Sequence, residues 1–97
     1  MAQVAFTVTA LEDLERIRAF HGPEATYIAA VQIEKVLQAT HVLHDHPMIG
    51  RVVRREIREL VISQGSGGFL ALYRFYPQRD LVRVLRIRHQ RELGYGK

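Results

Sequence analysis

The chain contains no cysteine. A disulfide framework and a thiolate metal site are both excluded, and a reducing compartment is the natural setting. Long apolar runs are missing too. Nothing approaches the roughly 20 residues that a membrane-spanning helix needs, so no membrane partner is expected. The first residues, MAQVAFTVTA, lack the charged start and long apolar middle of a secretory leader, and a cytoplasmic location is expected. Lysine is nearly absent, with two against twelve arginines. There is no internal repeat, low-complexity segment or linker, so the 97 residues are expected to form one domain.

What is present is ordinary in amount and uneven in placement. At 47% hydrophobic and 25% charged, the composition is that of a soluble globular protein. The net charge of +4 hides an asymmetry. Residues 1–50 carry three bases against six acids, a balance of −3, whereas residues 51–97 carry eleven bases against four acids, a balance of +7. The basic half is almost all arginine, whose planar fork matches carboxylate and phosphate. Its partner is expected to be anionic, either nucleic acid or an acidic protein segment.

Alternation of Val4, Phe6 and Val8 predicts a strand over Gln3–Val8. Thr9 and Glu12 fit a capping box, and Leu11, Leu14, Ile17 and Phe20 recur at helical spacing. A first helix is expected over Ala10–His21, stopped by Gly22 and restarted at Pro23. A second, long helix over Pro23–His44 shows an apolar face of Ala25, Ile28, Ala29, Val36, Ala39 and Leu43. A loop through Pro47 and Gly50 comes next. Then come a strand within Val52–Ser63, a flexible turn at Gly65–Gly68, and a strand over Phe69–Tyr76. A tight turn at Pro77–Asp80 leads to the stretch Asp80–Tyr95, DLVRVLRIRHQRELGY. Its aliphatics occupy both parities, as in the middle of a sheet. The expected fold is α+β: an N-terminal strand, an antiparallel helical hairpin, then a three-stranded antiparallel meander. Together these make one four-stranded sheet covered on one face.

The order and spacing of several pieces resemble the RelE/ParE superfamily of bacterial toxin–antitoxin toxins. They are the strand followed by LEDLERI, the helical pair, and Leu43, Pro47, Gly50 and Arg51 as L-x-x-x-P-x-x-G-R. Arg58 in IRELV, Tyr73 and Arg74 in ALYRF, and LVRVLRIRHQRE with His89 complete the set. The likeness covers nearly the whole chain. It implies a growth-arresting toxin held inactive by a cognate antitoxin, in a complex that is oligomeric and binds its operator through the antitoxin. Two targets are implied. ParE-like members poison DNA gyrase, and LEDLERI is similar to that side. RelE-like members cut messenger RNA at the ribosome with several basic residues, including lysines. Lys35 and Lys97 are poorly placed for that. Some ribonuclease members instead use an arginine, a histidine near the end of the last strand and an aromatic residue, and Arg58, His89 and Tyr95 match those positions.

If the chain is a nuclease, the expected catalytic set is Arg58, Arg74, His89 and Tyr95. His89, with an ordinary pKa near 6.5, would move protons, and the arginines would clamp the phosphate. Tyr95 would stack on a base. An acidic partner or nucleic acid is expected to meet Arg51, Arg54, Arg55, Arg86, Arg88 and Arg91. His41, His44, Asp45 and His46 lie close in sequence but complete no recognised ligand spacing, so neither metal nor cofactor is expected. Gly65–Gly68 lacks the lysine and following helix of a phosphate loop and reads as a hairpin turn.

Overall fold

A computed structural model of the chain describes residues 1–20, 26–62 and 68–89. Its elements are β1 (Gln3–Phe6), α1 (Val8–Phe20), α2 (Thr26–His41), β2 (Arg51–Arg54), β3 (Ile57–Val61), β4 (Phe69–Tyr76) and β5 (Leu81–His89). One sheet holds all five strands in the order β1-β5-β4-β3-β2. The helices pack on it as an α+β layer, with α1 lying on β5 and against α2. The expected stop at Gly22 and restart at Pro23, the Gly65–Gly68 turn, Arg91 and Tyr95 lie outside the described residues.

The sheet has five strands where four were expected, because the segment read as one strand divides. Arg54 pairs with Ile57 across a turn at Arg55 and Glu56. Arg55 takes a left-handed backbone, φ 49°, which disfavours a residue with a Cβ by roughly 1–2 kcal/mol. Glycine usually marks such a turn; here nothing in the sequence does. The meander β2-β3-β4-β5 is antiparallel, and β1 joins it in parallel beside β5, with Gln3 opposite Leu81 and Phe6 opposite Val84.

β1 ends before β5 does, and the start of α1 takes over its role. Thr7 N–H donates to Val84 O at 3.0 Å, and Thr7 Oγ1 donates to Leu85 O at 3.1 Å. The same hydroxyl accepts from Ala10 N–H. The helix cap is therefore Thr7, not Thr9, since only Thr7 is held by the strand as well. One turn later the Asp13 carboxylate accepts the Ile87 N–H at 2.8 Å. This explains why the buried face of α1 is Ala10, Asp13 and Ile17, while Leu11 is left exposed. The open strand edge needs an acceptor more than the core needs another leucine.

The core sits between the sheet and the helices. Phe69, Ala71 and Tyr73 of β4, Val82, Val84 and Ile87 of β5, and Val36 and Leu43 are buried there. The buried residues of β5 change parity because Leu72 opposes Arg86 while Tyr73 opposes Val84, leaving Leu85 as a bulge. The mixed parity that reads as a two-sided interior strand thus reflects the bulge in part. Tyr73 Oη accepts the Gly50 N–H at 2.8 Å. A Cβ on Gly50 would lie 2.7 Å from Glu59 O and 2.8 Å from the Tyr73 ring, so only glycine fits. The long second helix ends as α2 at His41 and continues as a 3-10 turn, Val42–His44. There His44 Nδ1 donates to Ala2 O, tying that turn to the N-terminal segment.

Candidate partner-binding cleft

Four arginines converge where the β2–β3 turn meets the end of β4. A cleft of about 480 Å³ opens there, lined by Arg55, Arg58, Arg74 and Arg79 together with Glu56, Met48, Val52 and the Phe75–Gln78 segment. That volume falls in the range of small-ligand sites, about 300–1,000 Å³. Each arginine is placed by a different device. Arg58 faces the core side opposite Tyr73, and its Nη1 donates to Met48 O at 3.1 Å and Gly50 O at 2.7 Å. It therefore holds the loop that brings Met48 to the cleft. Arg74, one residue after Tyr73, stands on the other face. It pairs with Glu56, and its guanidinium lies 4.7 Å above the Tyr76 ring. Its Nε is buried without a hydrogen-bond partner. Arg55 is exposed at the turn, and Arg79 is exposed in the 3-10 turn Pro77–Arg79.

The other expected residues lie elsewhere. Arg86 does not serve a surface. It binds Asp13 through Nε at 2.9 Å and Nη2 at 3.3 Å, beside Arg16 Nη1 at 2.7 Å from the same carboxylate. Burial tends to raise the pKa of Asp13, but the bonds from Arg86, Ile87 N–H and Arg16 outweigh it and hold the carboxyl below its ordinary value. Arg88 is buried at 7% exposure, so it offers little to a large partner. Arg51 joins β2 to β3 through Glu59 Oε1 at 3.0 Å, and Arg54 is exposed on the same edge strand. Burial pushes the Tyr73 hydroxyl pKa up, against the opposing effects of Gly50 N–H and the Arg58 charge, which keeps the phenol protonated.

His89 is not near the cleft. It opposes Phe69 and meets that ring edge-on, with centroids 5.3 Å apart. Arg74 lies five residues further along β4, about 17 Å away at the usual rise per residue. Arg58 and Arg74 both line the cleft, from opposite faces of the sheet; His89 does not line it. Among the described residues, the cleft has cations, two aromatic rings and one carboxylate, Glu56, which is committed to Arg74, and it has no imidazole. It can hold an anion. Tyr76 and Arg79 were not singled out in the sequence. The i, i+2 spacing of Arg74 and Tyr76 on one strand face was the available signal. His41 and His44 stack edge-on at 4.7 Å, and among the described residues no three metal-ligating side chains converge.

Comparisons with known proteins agree with this architecture. The family described as "ParE toxin of type II toxin-antitoxin system, parDE" matches residues 4–94. Toxin RelE3 of Caulobacter vibrioides is 34% identical over 92 residues, spanning 95% of this chain and 98% of that one. Among solved structures, the chromosomal ParDE system of P. aeruginosa superposes with a TM-score of 0.76 at 18% identity, over 92% of this chain and 96% of that one. The RelBE2 toxin–antitoxin complex of Mycobacterium tuberculosis does so with a TM-score of 0.62 at 26% identity, over 94% and 93% of the two chains. With its parallel N-terminal edge strand, helical pair and antiparallel meander, the chain belongs to the ParE toxin family of type II toxin–antitoxin systems, within the RelE/ParE superfamily.

Proposed function

We propose that this chain is a growth-arresting toxin that acts by binding, inhibiting DNA gyrase in the ParE manner, and that a cognate antitoxin neutralises it in the cytoplasm. The separation of His89 from the cleft carries this reading. Cleavage by 2′-hydroxyl attack needs a proton-transfer group and phosphate-stabilising cations around one phosphate. About 17 Å of sheet lies between His89 and Arg74, several times the reach of a hydrogen bond. A binding toxin needs no such convergence. The neutralising complex is oligomeric and contacts its operator through the antitoxin.

A second reading is a ribosome-dependent endoribonuclease of the RelE type, favoured by the name of the 34%-identical relative, Toxin RelE3. Gyrase supercoiling assays paired with primer extension on translated messages separate the two. Loss of supercoiling without new message ends is the expected result. New message ends with gyrase unaffected overturn the binding mechanism. Failure of the chain to slow growth, with or without the protein of the adjoining short reading frame, overturns the toxin reading as a whole.

A further inference from the structure

The toxin reading leaves the seat of its neutralising partner unassigned. Building on that reading, we infer that the cleft between the β2–β3 turn and the end of β4 receives a carboxylate from an acidic, amphipathic segment of the antitoxin. Charge is the first ground: among the described residues, Arg55, Arg58, Arg74 and Arg79 line the cleft against a single acid, Glu56. The second is a half-filled seat. A guanidinium presents Nε and one Nη side by side to a carboxylate. In Arg74, Nη2 is taken by Glu56 while the buried Nε has no partner. Glu56 is a short-range stand-in from the adjoining turn, and a better-aimed carboxylate fills both positions and releases it. The third ground is Arg55, held with a left-handed backbone at a cleft-lining position. Strain of that kind collects at sites of recognition.

The class of partner follows from the lip. Met48 and Val52 line the cleft and are 59% and 52% exposed, and Ile49 and Val53 are exposed beside them. A sugar–phosphate backbone is mainly charged and polar and covers such a lip poorly, whereas aliphatic residues flanking a glutamate cover it well. Arg74 also already covers one face of Tyr76, a ring on which a base would otherwise stack. An acidic polypeptide therefore fits better than a nucleic acid.

The test titrates the full chain with the protein of the adjoining reading frame by calorimetry, at low and high salt. Glu56→Gln removes the internal competitor and is expected to tighten binding several-fold. Arg74→Gln and Arg55→Glu are expected to weaken it at least about tenfold, with a shallower salt dependence. Far-UV spectra establish that each variant is folded. Unchanged affinity in all three variants overturns the inference. If the neighbouring protein does not bind the parent chain at all, the toxin reading fails instead. The cleft is then judged on a short, fluorescently labelled Glu/Leu amphipathic peptide: binding by the parent and loss in Arg74→Gln uphold it, and no binding overturns it. A short RNA that displaces the peptide and itself depends on Arg74 and Arg55 overturns the polypeptide assignment.

Discussion

Replacing Asp13 by alanine tests the claim that one carboxylate substitutes for a missing strand. Asp13 is 1% exposed and accepts from the Arg86 guanidinium, the Ile87 N–H and Arg16. The alanine variant strands the Ile87 N–H, and an unmet buried donor costs about 1–3 kcal/mol. It also leaves Arg86 without its buried carboxylate; breaking such a pair costs about 3–5 kcal/mol when both groups are fully enclosed. The Arg86 side chain is 24% exposed and regains some water, so that contribution falls below the fully enclosed range, to about 2 kcal/mol. A net loss of about 3–4 kcal/mol is expected, a large share of the 5–15 kcal/mol typical of a whole domain. At about 4–8 °C per kcal/mol for a domain of this size, melting followed by far-UV circular dichroism falls by at least about 12 °C. Adding Arg86→Met should recover part of the loss, because an apolar side chain in that place needs no counter-charge. If Asp13→Ala melts within about 3 °C of the parent, the edge of β5 does not depend on this carboxylate. Were Arg86→Met to add its own full cost to the double variant, the two groups would not be coupled.

The same carboxyl makes a pH prediction. Its folded pKa is lowered from 3.8, so its contribution is complete above the unfolded value and is lost as pH falls through the folded one. The melting gap between the parent and Asp13→Asn should therefore hold from pH 7 to about 5 and close below about pH 4; a gap that widens on acidification refutes it. Gly50→Ala should destabilise by at least about 1–3 kcal/mol, because the added methyl overlaps Glu59 O and the Tyr73 ring. Tyr73→Phe should lose about 1–3 kcal/mol by stranding the Gly50 N–H; urea unfolding measures both. Under the binding mechanism, His89→Ala should leave growth arrest intact, scored by colony counts after induction, and a loss of toxicity in a folded variant would favour the nuclease.

The parts of the fold that could be read from residue order are those where local chemistry and tertiary need agree. Phe69–Tyr76 reads as a strand from its aromatic and aliphatic residues, and Phe69, Ala71 and Tyr73 do enter the core. The helical pair shows itself through Ile17, Val36 and Leu43, all buried as expected. The misses arise where a distant neighbour overrides the local pattern. Asp13 looks like a solvated helix acid and is instead the acceptor for an edge 74 residues away. Thr9 satisfies the capping box, but Thr7 wins because Leu85 O also needs its hydroxyl. The turn at Arg55 carries no glycine, so β2 and β3 read as one strand. For the site, Arg58 and Arg74 were recognisable as a pair because adjacent strands carry them. The distance to His89 was not, since it depends on the register of β4 against β5, which the bulge at Leu85 shifts.

The parallel seat of β1 against β5 has a consequence during synthesis. Gln3–Phe6 leaves the ribosome well ahead of its strand neighbour, Leu81–Val84. The sheet cannot close around its first strand until its last one has been translated. A message broken, or a stop codon arising, anywhere upstream of Leu81 leaves β1 and Asp13 with no edge to bind. Such fragments lack the finished sheet, and whatever recognises that sheet meets it only once Leu81–Val84 has been made.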